Sequence, residues 1–378
     1  MYIAPRYHTN QAAIMKNLIK EGHEVKFLSH YRGKVEDYSV IEPDVIGYSK
    51  LFLIWEKFYL NILHKNDCRA VDMKLKYGFP PIAKLKRQIK DFMPDVIIIR
   101  ERSIYSICTY MSCTSFHIPF ILYNQSPLWE PCIMKDLPHR IVKSMLPKTR
   151  MTPVMGNKDK GVLDNNTYFV PFVIEPMQIP EIKKWFSENK ISIFCIGKYE
   201  KRKNISMLLE VFKELSKEYE LHLTIAGECS TEFHREYLNE QEKFIFENSL
   251  SNKVDLFENL SREEINTVFK TTDLFIIPST DEPASISQME AMAFSIPVIC
   301  SDENGTACYV EDGKDGRLFR DNDKDDLKNK IIELISNRET LVEMGTKSYH
   351  DIEKMCSFSA YFEGLTKCYK DALDNIRK

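Results

Sequence analysis

"ISIFCIGKYEKRKNISMLLEVFKELSKEYELHLTIAGE", residues 191–228, decides the fold. It opens on an apolar run, "ISIFCIG", that reads as a buried strand. A basic loop follows, and then "ISMLLEVFKELSKEY", whose apolar positions recur at helical spacing. "LHLTIAGE" (221–228) closes the unit as a second strand. Strand, helix and strand in direct succession predict a βαβ unit with parallel strands.

The alternation continues outward. Downstream come a strand "KVDLFENL", a helix "REEINTVFKTT" and the strands "DLFIIPS" (273–279) and "IPVICS" (296–301), then a helix "KDDLKNKIIELISN". Upstream, "MYIAP" is a short strand, and its start at Met1 suggests a late-assigned beginning. "NQAAIMKNLIKEG" is a helix stopped at Gly22, and "HEVKFLS", "PDVIIIR" (94–100) and "PFILYNQ" (119–125) are further strands. The apolar run in "TYFVPFVIEP" (167–176) is cut by Pro171 and Pro176 and marks a boundary. The expected architecture is therefore α/β: two Rossmann-like, doubly wound parallel-sheet domains, 1–170 and 171–358, facing a cleft. Residues 359–376 read as a closing helix. The 378-residue length fits two domains. Ligands in such sheets bind outside the carboxyl ends of the strands.

Composition narrows the class. Apolar residues make up 43% and charged residues 28%, as in ordinary globular chains. The net charge of −3 is unevenly shared: 25 Lys+Arg stand against 16 Asp+Glu in residues 1–170, and 27 against 39 in 171–378. A basic half joined to an acidic half suggests different partners for each. The ten cysteines show no CxxC spacing, and Cys195 and Cys300 lie inside apolar runs. They read as buried hydrophobes in a reducing cytosol rather than as disulfides or zinc ligands. No leader pattern is visible, and no apolar run approaches the ~20 residues needed to span a bilayer. The expectation is a cytoplasmic protein, at most peripheral at the inner face of the membrane.

Two loops carry the chemistry. In "GKYEKRKN" (197–204), Gly197 permits close backbone approach, and Lys198, Lys201, Arg202 and Lys203 gather four cations between a strand end and a helix. A phosphate is expected there. No GxGxxG or GxxxxGK[ST] occurs, which disfavours simple nicotinamide and P-loop readings. The second loop lies in "DEPASISQMEAMAFSIPVI" (281–299), where Glu282 and Glu290 flank a small, polar turn. Ser285 and Ser287 are expected to cap the helix that follows, leaving N–H groups around Ser285, Ile286 and Ser287 for a diphosphate. Carboxylates repel a diphosphate but accept hydrogen bonds from hydroxyls. A diphosphate flanked by two sugars, a nucleotide sugar, meets both demands.

These residues resemble a known family. E-P-A-S-I-S-Q-M-E-A-M-A followed by I-P-V-I is similar to the E-x7-E motif of retaining glycosyltransferases of family 4, which have the GT-B fold. "CIGKYEKRKN" resembles that family's G-R-x-x-x-x-K-G loop, and "LTIAGE", "DLFIIPS" and "VEDGKDGRLF" follow in the family's order. The resemblance is specific over about 191–345 and loose in the first half. It implies that Lys203 neutralises the donor diphosphate, with Lys198 at the arginine position and Arg202 beside it to compensate for the lost fork. Glu290 would take the ribose and Glu282 the transferred sugar. Ser285 and Asn204 stand where the family has glycine. The implied chemistry is metal-independent transfer with retention, in which the leaving diphosphate helps to take the acceptor's proton. No cofactor is implied beyond the nucleotide-sugar donor. The closing helix would cross back onto the first domain.

Acceptor-side candidates are Arg6, His8 and Asn10 after the first strand, Arg100 after "DVIII", and Asn124 in "YNQSPLW". The family's Gly-Gly turn and mid-domain histidine are absent there. The expected partners are a nucleotide sugar, a glycan or lipid-linked acceptor and an anionic membrane surface. The surface would be met by "LFLIWEKFYLNILHK" (51–65) and "LPHRIVKSMLPKTR" (137–150). The pathway implied is cell-surface polysaccharide biosynthesis. Nucleic acid is disfavoured, because the basic residues are not interleaved with stacking aromatics. "DNDKDD" (321–326) has Asp326 where a calcium loop needs Gly and Ile332 where it needs Glu, so helix capping is the better account and no metal is expected. Alternatives left open are a nucleotide-sugar epimerase of the same fold and a non-catalytic nucleotide-sugar-binding partner of another transferase.

Overall fold

The structure, a computed structural model, describes residues 1–8, 11–33, 38–59, 74, 77–100, 104–125, 144, 149–157, 163 and 165–377. Asn10 and most of 137–150 lie outside the described residues. The first sheet holds β1 (Tyr2–Ala4), β2 (Phe27–Ser29), β3 (Asp44–Val45), β4 (Ile97–Arg100), β5 (Phe120–Tyr123), β6 (Arg150–Thr152) and β7 (Thr167–Phe169). The second holds β8 (Ile191–Ile196), β9 (Leu221–Gly227), β10 (Val254–Glu258), β11 (Leu274–Ile277), β12 (Val298–Ser301) and β13 (Gly316–Phe319). The strand orders are 3-2-1-4-5-6-7 and 10-9-8-11-12-13. Every pairing is parallel. The order reverses between β1 and β4 and between β8 and β11, so each sheet opens a crevice at those strands' carboxyl ends. The doubly wound, two-domain expectation is met.

Among the described residues, four helices accompany the first sheet: α1 (Ala12–Lys20), α2 (Lys50–Phe58), α3 (Ile82–Phe92) and α4 (Ile104–Thr114). The second has α5 (Ile205–Leu215), α6 (Glu232–Glu247), α7 (Arg262–Thr271), α8 (Ile286–Ala293), α9 (Lys324–Ile335) and α10 (Arg338–Met355); α11 (Phe358–Arg377) ends the chain. Local chemistry starts several of them. Ser261 and Glu264 form a reciprocal capping box on α7, and Asp323 accepts the Asp326 N–H at 2.9 Å to start α9. The latter is the capping expected of "DNDKDD".

Both sheets are buried on two faces, as parallel sheets must be. In the second, Ile193, Cys195, Leu223 and Ile225 pack on Leu208, Leu209 and Phe212 of α5, while Phe194, Phe275 and Ile277 pack on Phe269, Met289 and Met292. Burial pushes the Cys195 thiol up to about 12, in keeping with an inert core residue. In the first, Ile3, Leu28, Ile97 and Ile99 meet α3 and α4. The opposite face is closed by α1, through Met15 and Leu18, and by α11, whose Tyr361, Leu365, Cys368 and Ala372 pack against Tyr2, Phe27, Ile98 and Ile121. Thr149 donates to Asp371 at 2.6 Å and fixes that helix.

The domains are joined at more than the linker. Gly305, just after β12, donates to the Glu282 carbonyl at 2.8 Å, and its own carbonyl accepts from Met155 and Gly156 of the first domain at 3.2 and 2.9 Å. Tyr309, fully buried, donates to the Pro153 carbonyl at 2.7 Å and accepts from the Phe172 N–H at 3.1 Å. A Cβ at Gly305 would stand 1.9 Å from the Pro283 carbonyl oxygen, so only glycine fits.

Two stability predictions follow from this packing. Gly305→Ala must displace backbone rather than a flexible side chain, and urea denaturation should show a loss of about 1–3 kcal/mol. His30, stacked on Tyr105 with ring centroids 3.6 Å apart, is held by burial down at about 3, against an ordinary value of 6.5. The unfolded chain takes up that proton below pH 6.5 and the folded chain does not until about 3, so its contribution is intact above 6.5 and is lost as pH falls through that window. Urea midpoints at pH 7 and 5 should therefore converge in His30→Phe relative to the wild type.

Candidate functional site

The loops after β8 and β11 meet at the switch point of the second sheet. The first is anchored by Tyr199, which is fully buried and donates to the Phe257 carbonyl at 2.9 Å. Gly227 allows this, since a Cβ there would lie 2.5 Å from the Tyr199 ring. Residues Lys201–Lys203 form one 3-10 turn, and Asn204 follows with φ +53°, left-handed. This is why glycine or asparagine suits the position. The Arg202 carbonyl accepts the Thr280 N–H at 2.8 Å, tying the two loops together.

Lys203 folds its stem across Gly197, where a Cβ would sit 3.1 Å from its Cδ, and donates to Glu282. Arg202 reaches the same Glu282 oxygen at 3.3 Å, and its Nε pairs with Glu200 at 2.7 Å. Glu282 is only 5% exposed, so its charge depends on these two cations. Lys198 points elsewhere and pairs with Glu228 at 3.3 Å. Arg202 thus joins Lys203 at the carboxylate, and Lys198 does not.

The second loop enters α8 at Ile286. Contrary to the capping expected of it, Ser285 occupies the N-cap position but makes no side-chain capping bond. Its Oγ pairs with Ser287 Oγ at 3.1 Å, and its N–H donates to Thr306 Oγ1 at 3.4 Å. The entry to the helix is held instead by a fully buried cluster. Gln288 Oε1 accepts from Asn304 at 3.1 Å and Thr306 at 2.9 Å, while its Nε2 donates to the Thr306 carbonyl at 2.9 Å. The first N–H groups of α8 have no intrahelical acceptor and carry the positive end of its dipole. One turn inside, Glu290 pairs with Arg262 at 2.8 Å. Sequence reasoning passed over Arg262, yet the signal was present, since it opens α7 directly after β10, at a strand end. Gln288, Asn304 and Thr306 gave no such signal, because the partners lie far apart in the chain.

On the first domain the candidates form a separate group. Arg6 Nε lies 3.4 Å from His8 Nε2, and the His8 N–H donates to Gln11 Oε1 at 3.2 Å. Arg100 donates to Gln125 Oε1 at 3.1 Å, and Gln125 in turn to the Tyr123 hydroxyl at 2.7 Å. The Asn124 N–H donates to the Met151 carbonyl at 2.9 Å. All of these lie at the carboxyl ends of β1, β4 and β5.

Residues 178–351 match the family model of glycosyl transferases group 1. An uncharacterized glycosyltransferase of Methanocaldococcus jannaschii is 27% identical over 179 residues, covering 47% of this chain and 48% of that one. The capsular polysaccharide biosynthesis glycosyltransferase CapM of Staphylococcus aureus is 23% identical over 266 residues, covering 67% of this chain and 66% of that one. The chain thus spans less than two thirds of the length of these curated relatives. Among solved structures, Anabaena HepE in complex with UDP superposes with a TM-score of 0.73 at 12% identity, covering 98% of this chain and 99% of that one. The fold is the two-domain GT-B architecture, and the stretch 178–351 is similar to glycosyl transferases group 1.

The left-handed turn gives a direct test. Asn204→Gly should change unfolding free energy by less than about 0.5 kcal/mol. Asn204→Val should cost about 1–2 kcal/mol. Urea titration of both variants reads the difference.

Proposed function

We propose that the chain transfers a sugar from a nucleotide-diphosphate sugar to a glycan or lipid-linked acceptor, with retention at the anomeric carbon. The observation that carries this reading is the convergence of Lys203, Arg202, Glu282, Glu290 and the α8 N-terminus at one switch point. The diphosphate takes the cations now shared with Glu282 and lies at the helix N–H groups. Glu282, relieved of its partners, accepts hydrogen bonds from the sugar, and Glu290 does so from the ribose. The acceptor oxygen bonds to the anomeric carbon as the bond from that carbon to the diphosphate oxygen breaks. The acceptor's proton passes to the leaving diphosphate on the same face. The protein's part is to orient the two substrates and to stabilise charge growing on the leaving group. Lys203 and Arg202 supply the positive charge this needs, so the proposed reaction is metal-independent.

The placement of this reaction at the cytoplasmic side, in cell-surface polysaccharide assembly, is part of the proposal. Its support is the basic first half and the likeness to CapM, which is named for capsular polysaccharide biosynthesis. The test is thermal stability against a panel of nucleoside diphosphates and their sugars. One nucleotide should raise the melting temperature by mass action, and Glu290→Ala should abolish the rise. No rise with any of the panel would sink the reading. With the donor so identified, Lys203→Ala should lower its turnover about 100-fold or more.

A further inference from the structure

We propose that α2 is a docking element for an anionic lipid surface. This deepens the transferase reading and rests on it only for its biological use, since a lipid-linked acceptor would be met there. Of the nine residues in α2, only Phe52 and Glu56 are buried. The other apolar side chains face solvent: Leu51 is 74% exposed, Ile54 66%, Phe58 52%, Trp55 44% and Leu53 37%. Leu51, Ile54, Trp55 and Phe58 share one face of the helix by its period of about 3.6 residues, a patch of the kind that soluble surfaces rarely leave uncovered, and Leu53 lies beyond Lys50 and Lys57 at its flank.

The charges decide between occupants. Lys50 and Lys57 are both exposed, at the start and in the last turn of the same helix. The helix's only acidic residue, Glu56, is turned inward and pairs with Lys74 at 3.2 Å. The solvent face of α2 therefore carries cations, aliphatic and aromatic groups and no anion. That is the composition of a helix lying in a lipid interface, with its apolar face in the acyl boundary and its lysines at anionic headgroups. The element is held firmly for the purpose. Ser49 caps it by accepting from the Phe52 N–H at 3.3 Å, and donates its own N–H to the Phe79 carbonyl at 2.8 Å. Phe52 anchors the underside against Phe79, with ring centroids 5.9 Å apart. Exposed Lys86, Arg87 and Lys90 of α3 add to the same domain's positive field.

The experiment is co-sedimentation with vesicles of phosphatidylcholine alone, or with about one third phosphatidylglycerol. The wild type should bind the anionic vesicles and bind neutral ones far less. The double variant Ile54→Ser/Trp55→Ser should bind at least about tenfold more weakly. Lys50→Glu/Lys57→Glu should bring anionic binding down to the neutral level. Melting temperature without lipid, and the nucleotide-dependent rise, should match the wild type in both variants. The proposal is overturned if the wild type binds neither vesicle or if the apolar variant binds as the wild type does. It is also overturned if the lipid-free chain self-associates and the apolar variant makes it monomeric, which would assign the face to a second copy. Vesicle binding without any nucleotide response would leave the surface standing and remove the transferase reading.

Discussion

Everything near the candidate site depends on the absence of one side chain at Gly305. Its backbone is sandwiched between the Glu282–Pro283 turn and the first domain's Met155–Gly156 segment, using both its N–H and its C=O. The Glu282 loop, the entry to α8 and the interdomain contact are thereby parts of one hydrogen-bonded unit. Beside it, Gln288, Asn304 and Thr306 satisfy one another out of water's reach, and a buried polar cluster of this kind rigidifies only because every member is paired. Tyr309 adds the last bonds, to Pro153 and Phe172. The carboxylates and the helix terminus are thus presented by a rigid frame rather than by loops left to find their own positions.

Within that frame the charges are mutually dependent. Two cations from one loop are spent on a single buried carboxylate from the other, while Glu290 is neutralised from α7 and Lys198 from Glu228. Each charge that would meet a ligand already has a partner of opposite sign. On the proposed reading, binding is an exchange of partners rather than the capture of an ion by bare charge, and its net gain is modest per contact. The same reading implies selectivity: a phosphate alone would satisfy the cations but leave Glu282 buried and unpaired. A ligand carrying both phosphate and hydroxyls satisfies all of them.

Much of the second domain was legible because its strands run four to seven residues and its helices have strong apolar stripes. The basic loop and Glu282 could be placed at strand ends, and Glu290 in the helix that follows, by periodicity alone. The first domain was harder. Strands such as Asp44–Val45 and Arg150–Thr152 are too short to show a period, and pairing with neighbours rather than local pattern makes them strands. Ser285 was misread for a related reason. Its residue type fits a cap, but Thr306 and Ser287, one of them supplied by a distant loop, take up its polar atoms. The pairing of Arg202 rather than Lys198 with Glu282 likewise depends on the direction of one 3-10 turn, which composition does not encode.

The path of α11 has a consequence for how the chain is made. The second domain's sheet is complete at β13, and α10 finishes its helical cover at Met355. The first domain comes off the ribosome earlier, yet one face of its sheet, covered in part by Met15 and Leu18 of α1, stays incompletely covered until Phe358–Arg377 arrives to supply Tyr361, Leu365, Cys368 and Ala372. The order of synthesis and the order of completion are therefore reversed: the half begun first is finished last. Until then an apolar sheet face waits partly uncovered beside a finished neighbour, a situation in which nascent chains need protection from aggregation.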